Sequence, residues 1–226
     1  MDHFIKTQKS NLMKKSTLII VFVLITFSMI SSCKKDESEP TNDFTGNSGT
    51  FSDQRDSKTY EWVRIGTQIW LARNLDFSLP SGTWYYSSNS NLSGTYGRLY
   101  THEAALLAIP EGWHLPSVQE LNVLSDFLGG ASVAGGKLKQ QGTSNWTSPN
   151  TGADNTSGFS ALPGGMYDPG NGFYEKGTSG FFWTSTFSNS GGSNMRYYYL
   201  DNNSTALNFT DSTDPSLGLS VRCIRD

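Results

Sequence analysis

His102, His114 and Cys223 are the only imidazole and thiol side chains beyond residue 33. No His-x-x-x-His or Cys-x-x-Cys spacing occurs, so the nitrogen and sulfur ligands of a zinc site are not in place. His114 lies between Trp113 and Leu115 and reads as a hydrogen-bonded core histidine, and His102, near the start of a helix, reads the same way. A serine nucleophile would need a Gly-x-Ser-x-Gly elbow. Gly158-Phe159-Ser160-Ala161-Leu162 lacks the second glycine. Glycoside hydrolysis needs two carboxylates at a set separation. Asp154, Asp168, Glu175, Asp201, Asp211 and Asp214 fall in expected loops or strand ends, where nothing fixes such a pair. They read as solvated loop acids, so no enzyme is expected, and a carboxylate-based hydrolase is the lesser alternative.

Binding chemistry is better represented. Trp84-Tyr85-Tyr86 and Tyr197-Tyr198-Tyr199 offer flat rings for stacking on sugars or burial in a protein interface. In an alternating strand Tyr197 and Tyr199 share one side and Tyr198 takes the other, so at least one set belongs to the core. The candidate ligand-binding residues are Trp84, Tyr85, Tyr86, Tyr197 and Tyr199. Calcium takes six to eight oxygens, and Asn150–Asn155, Asp201–Asn203 and Asp211–Asp214 carry many. Such clusters more commonly make turns. No metal or cofactor is expected, with calcium as the open alternative.

Local patterning supplies the elements that would position these residues. Glu61–Ile65 and Gln68–Ala72 alternate apolar and polar around Gly66-Thr67, predicting a hairpin. Thr101–Ala108 reads as a short helix with Thr101 as its cap and Pro110 as its stop. Ser117 and Glu120 form a capping box ahead of Val118, Leu121, Leu124 and Leu128 at helical spacing, with Gly129-Gly130 beyond. After Gly130 the pattern returns to strands and loops. Gly158–Leu162, Gly180–Phe187, Met195–Leu200, Thr205–Phe209 and Leu219–Ile224 are the strand candidates. Asp76–Tyr96, Asn145–Ser157 and Ser188–Asn194 are long polar connections. Two helices followed by strands predict an α+β domain.

The amino end carries a different signal. Lys6, Lys9, Lys14 and Lys15 precede an uncharged stretch, Ser16–Ser32, whose apolar centre is Leu18–Thr26. That is the pattern of a secretory signal, too short and too rich in Ser and Thr for a membrane span. Ile30-Ser31-Ser32-Cys33 resembles the lipobox of bacterial lipoproteins, which implies cleavage before Cys33 and lipidation of its thiol. Lys34-Lys35-Asp36-Glu37-Ser38-Glu39 is similar to the export signal of Bacteroidetes surface lipoproteins. The expected organisation is a signal peptide over 1–32, a lipidated flexible tether over 33–50 and a domain over 51–226. The expected location is the outer membrane, facing the cell exterior. Beyond residue 32 the chain has 13 Lys and Arg against 19 Asp and Glu. That acidic balance is no footprint for nucleic acid.

Val63-Arg64-Ile65-Gly66-Thr67-Gln68-Ile69-Trp70-Leu71-Ala72-Arg73-Asn74-Leu75 resembles the opening of the Fibrobacter succinogenes major paralogous domain. Six more blocks continue the likeness in order. They are Tyr96–Tyr100, Gly112–Ser117 with Glu120-Leu121, Gly135–Lys139, Ser157–Gly165, Phe182–Thr186 and Ser220–Cys223. The Gly-Trp-His-Leu-Pro-Ser segment is also similar to formylglycine-generating-enzyme-like domains, which are variants of the C-type lectin fold. The resemblance implies a C-type-lectin-like domain, two helices packed on twisted antiparallel strands with long loops. Formylglycine generation needs paired cysteines, which a domain holding only Cys223 does not supply. The Glu-Pro-Asn and Trp-Asn-Asp strings of sugar-binding lectins are absent. Relatives commonly carry a cysteine where Ile109 stands here, which the resemblance implies is paired with the last-strand cysteine, so Cys223 is expected to be free and buried. The function expected is a surface-anchored, non-catalytic recognition domain binding a glycan or a surface protein. A structural or assembly component of the cell surface is the alternative.

Overall fold

The computed structural model describes residues 42–188, 194–210 and 213–226. The expected signal peptide, Cys33, the tether as far as residue 41, and Asp211 of the last oxygen cluster lie outside the described residues. Over the described residues the chain is mixed helix and antiparallel sheet, the α+β class that the pattern predicts.

The predicted hairpin forms as β2 (Lys58–Ile65) and β3 (Gln68–Leu71), joined through Gly66 at φ +61°. Alternation puts Tyr60 and Trp62 on one face and Val63 and Ile65 nearer the other. An additional strand, β1 (Ser48–Asp53), begins inside the stretch expected as tether and pairs antiparallel with β2. It is drawn in by Phe51, which packs on Tyr60 and Trp113 at ring centroids 6.5 and 5.2 Å. The residues ahead of it are latched too. Asn42 Oδ1 accepts from the Ser52 amide at 2.9 Å. The Phe44 ring lies 5.3 Å from Trp62 and 3.7 Å below the Arg225 guanidinium. With β12 (Ile224–Arg225) and β6 (Trp113–His114), the sheet runs β1-β2-β3-β12-β6.

A second sheet holds β9 (Ser179–Phe187), β10 (Met195–Asp201) and β11 (Asn208–Phe209). Its two faces feed two hydrophobic clusters. Phe182 and Tyr198 stack at 4.9 Å in one cluster, while Phe181 and Trp183 lie in the other. Smaller pairs are β4 (Thr83–Trp84) with β5 (Leu99–Tyr100), and the hairpin β7 (Met166–Asp168) with β8 (Gly172–Tyr174).

There are four α-helices among the described residues, where the sequence predicts two. Helix α1 is a single turn, Ser93–Tyr96. The predicted pair is present as α2 (His102–Ala108), capped by Thr101, and α3 (Val118–Phe127), with both halves of its capping box formed. Helix α4 (Ala131–Leu138) occupies a stretch read as strand and loop. Its Gly135-Gly136 pair is a packing surface rather than a helix breaker. A Cβ on Gly135 would stand 2.2 Å from the Ala206 carbonyl oxygen, and one on Gly136 2.5 Å from that of Gly152.

Three strand expectations are corrected. Gly158–Leu162 forms no ladder beyond a bridge from Ala161 to Lys139, because the Phe159 and Ser160 carbonyls accept from Arg222. Only Asn208–Phe209 of Thr205–Phe209 is strand, since the Thr205 carbonyl and Leu207 amide bond to α4 residues. Leu219–Ile224 joins through single bridges at Leu219 and Ser220 before β12 begins.

Two buried cations tie these irregular segments together. Arg222 has no exposed surface, and all five of its N–H donors are used. Nε and Nη2 reach Asn74 Oδ1 at 3.2 and 2.8 Å, Nη1 reaches the Leu71 and Phe159 carbonyls, and Nη2 also reaches the Ser160 carbonyl. Burial pushes its pKa down to about 10. Lys139 donates to the Thr151, Asp201 and Ser204 carbonyls at 3.0, 2.8 and 2.8 Å, and burial pushes it down to about 8. Arg55, bound to Asp53, donates to the Ala108 and Ile109 carbonyls at the end of α2. Cys223 is a free, buried thiol in the cluster that Ile109 packs against, and burial pushes it up to about 12.

At the sheet edge His114 bridges two carboxylates. Nδ1 lies 2.6 Å from Asp226 and Nε2 2.7 Å from Glu120, whose other oxygen accepts from Ser117. Burial opposes the imidazolium, but the two carboxylates outweigh it and raise the His114 pKa. Burial also opposes the Glu120 carboxylate, and its Ser117 and His114 partners outweigh that and lower its pKa.

Two outcomes follow from these contacts. Arg222→Met strips donors from four buried oxygens, each costing about 1–3 kcal/mol when left unpaired. Urea unfolding should show a loss of about 3 kcal/mol or more, and a loss under about 1 kcal/mol would contradict the role given to Arg222. The His114 contribution is fully present below its ordinary pKa of 6.5 and is lost as pH rises through the raised folded value. The Glu120 contribution is present above 4.5 and is lost as pH falls through the lowered folded value. The difference in melting temperature between wild type and His114→Gln should therefore be greatest between those limits and shrink on either side.

Candidate functional site

A large concavity lies where the sheet outruns its helical cover. Its floor is the open face of β1 and β2, carrying Ser48, Thr50, Glu61 and Val63, and its volume is about 1560 Å³. One wall is α3. That helix buries Leu121, Leu124 and Leu128 but leaves Val123 and Phe127, four residues apart on a second stripe, 51% and 64% exposed. The Phe127 ring rests on the hairpin turn, so close that a Cβ on Gly66 would stand 3.0 Å from it. The other wall comes from the segment around Gln140, Asn145 and Thr156–Gly158.

The groove mixes apolar surface with polar groups and is not strongly charged. The Arg64 guanidinium is held by the Phe44 and Gly46 carbonyls at 2.6 and 3.1 Å. Arg73 donates to the Gly94 carbonyl and sits 3.4 Å from Glu61, with both side chains about half exposed. Tyr96 donates to Asn145 Oδ1 at 3.3 Å, and Asn145 Nδ2 donates to Gln140 Oε1 at 2.8 Å. This relay orients the Gln140 amide and leaves its nitrogen without a hydrogen-bond partner among the described residues. Such an arrangement presents preset hydrogen-bond donors and acceptors beside an apolar ring.

The five aromatic candidates lie elsewhere, all half-buried, and none lines this groove. Trp84 stacks 4.3 Å from Tyr167, and Tyr86 lies 5.3 Å from Phe173, so both cover one face of the β7–β8 hairpin. Tyr85 lies 3.9 Å beneath the Arg98 guanidinium, and its hydroxyl accepts from Arg98. Tyr197 and Tyr199 pack on Phe181 at 5.7 and 6.0 Å. Tyr198 points the opposite way into the core, as the alternation requires.

The remaining chemical candidates are committed to structure. His102 is buried and donates through Nε2 to the Thr184 carbonyl at 3.0 Å, with burial lowering its pKa. His114 is hydrogen-bonded but partly exposed at the sheet edge, not a core residue. The oxygen clusters weighed for calcium make turn contacts. Asn150 donates to the Gln140 and Gly142 carbonyls, Asn202 to those of Thr147 and Ser148, and Asp214 accepts from the Ser216 amide. Among the described residues no three His, Cys, Asp or Glu side chains converge.

The reading from sequence passed over Phe127, Val123 and the Gln140–Asn145 pair. One signal was available, since Val123 and Phe127 are large apolar residues off the Leu121, Leu124 and Leu128 stripe. The family model of the Fibrobacter succinogenes major domain matches residues 63–225, which run from within β2 to β12 and include both walls of the groove but, of its floor, only Val63. No curated protein and no solved structure matches the chain. Covering well over half of the chain, that match places it: this protein belongs to the Fibrobacter succinogenes major domain family.

Proposed function

We propose that this is a lipid-anchored surface protein whose domain is a non-catalytic recognition module for a glycan or a surface protein. The observation that carries the reading is the groove over β1 and β2, whose lining combines oriented amide, hydroxyl and guanidinium groups with the exposed Phe127 ring in one wall. A binding site of this kind gains from groups that are already oriented before the ligand arrives. Anchoring is carried by the Ile30-Ser31-Ser32-Cys33 string, with Cys33 as the lipidated residue and the outer membrane as the site. The charged residues after Cys33 favour the exterior face.

We take the fold to be a C-type-lectin-like variant. Supporting that assignment, β1 and β12 share one sheet, α2 and α3 are the two well-capped helices, and a long irregular region runs from Lys139 to Gly165. Calcium has no part in the proposed site.

A role in surface assembly is favoured by one other observation. Leu106, Leu107 and Phe187 are 50%, 66% and 65% exposed, and Leu106 and Phe187 border the same hollow. A self-association that disappears in Leu107→Asp with Phe187→Asp would support this second reading.

The test uses the whole chain in detergent against a panel of soluble polysaccharides and surface proteins, with and without calcium. The expected outcome is retention of a ligand without shortened products, loss of retention in Thr50→Trp, and no effect of calcium chelation. Release of shortened products would make the protein an enzyme. Cys33→Ala, with no thiol to acylate, should lose both the acyl mass and the cleavage before residue 33 that mass spectrometry should find in wild type.

A further inference from the structure

We infer that the groove binds a neutral oligosaccharide, with one sugar ring stacked on Phe127 and the hydroxyls of other rings on Gln140 and the Glu61–Arg73 pair. The inference rests on the groove being the ligand face and adds the class of ligand.

Four observations carry it. Phe127 is backed on one side by the Gly66 turn and 64% exposed, so its free face is a fixed apolar plane. Sugar rings carry an apolar C–H face that suits such a plane. Second, the groove holds no cluster of unpaired charge. Arg73 faces Glu61, and Arg64, which keeps its charge, lies on the Trp62 side of β2 and is engaged by two carbonyls, so no concentration of positive charge favours an anionic polymer.

Third, the planar groups are those that read hydroxyls. The Tyr96–Asn145–Gln140 relay presents the Gln140 amide nitrogen as a donor, while Glu61 accepts and Arg73 donates. Fourth, the floor is a sheet face and not a sheet edge. The β1 and β2 backbones that line it are paired with one another from Ser48 with Val63 to Asp53 with Lys58. An extended peptide lying on that face finds no free ladder there, and the outer edge of β1 beside it is occupied at Ser52 by Asn42.

The test titrates the whole chain in detergent with short linear neutral oligosaccharides of glucose, xylose, mannose and galactose, a galacturonic acid oligomer and an uncharged peptide. At least one neutral series should bind. Phe127→Ala should weaken it about tenfold, and Gln140→Ala about three- to tenfold. Phe127→Trp should retain it, and Val133→Ala, an exposed residue outside the groove, should leave it unchanged.

Binding of only the galacturonic acid oligomer or the peptide, abolished by Phe127→Ala, would overturn the neutral-sugar inference and leave the recognition reading standing. Neutral-sugar binding indifferent to both Phe127→Ala and Gln140→Ala would overturn the placement of the site. No binding to any probe, with no polysaccharide or surface protein retained in the broader panel, would overturn both.

Discussion

A guanidinium buried without an anion is the constraint on which the irregular half of this domain depends. Transferring a charge into an interior is costly unless every donor is met. Arg222 meets that demand with neutral oxygens alone, two bonds to Asn74 and three to main-chain carbonyls. The planar fork of arginine makes the demand directional, so the carbonyls of Leu71, Phe159 and Ser160 must sit at defined places together. Asn74 is itself fixed, because its amide nitrogen donates to the Tyr96 carbonyl and to Ser220. One side chain thus sets the relative positions of the end of β3, the Gly158–Leu162 segment and the approach to β12. Lys139 does the same on a smaller scale for the loops at Thr151, Asp201 and Ser204. These contacts order long connections without strand ladders, which leaves one wall of the groove free to be irregular.

The two hydrophobic clusters are coupled through shared strands. β9 and β10 place Phe181 and Trp183 in one cluster and Phe182 and Tyr198 in the other. β2 and β3 divide in the same way, with Trp62 in the first and Trp70 in the second. The groove opens where the second cluster ends and the sheet continues. Its floor is therefore backed by Phe51, Tyr60 and Trp62 on the far face, a rigid support under side chains as small as Ser48 and Thr50. The half-buried rings Trp84, Tyr86, Tyr197 and Tyr199 brace the β7–β8 hairpin and β9 at a distance from that floor.

What could be read from the sequence was what depends on near neighbours. Helix α3 is legible because Ser117 and Glu120 satisfy each other within one turn, and the β2–β3 hairpin because Gly66 and the alternation around it are local. Helix α4 is not, since its two glycines are explained only by Ala206 and Gly152 lying against them. Gly158–Leu162 carries strand-like residues, yet its carbonyls answer to an arginine more than sixty positions away, which no window of sequence displays. Of the groove, the apolar stripe of Val123 and Phe127 was visible as a departure from helical periodicity. The Tyr96–Asn145–Gln140 relay joins a helical turn to a distant loop, and nothing in their spacing announces it.

Seen as a mechanical object, the domain has a loading point at its first described residues. If Cys33 is held in a membrane, any pull on the domain enters through Asn42 and travels along β1. The ladder between β1 and β2 would be opened one pair at a time, a weak mode of resistance, were it not for what precedes it. The Asn42 clasp on Ser52 and the Phe44 ring held between Trp62 and Arg225 stand between the pull and the first rung. Tension must dislodge that aromatic plug before it reaches the sheet. A groove floored by β1 would thus keep its shape under drag for as long as Phe44 stays seated.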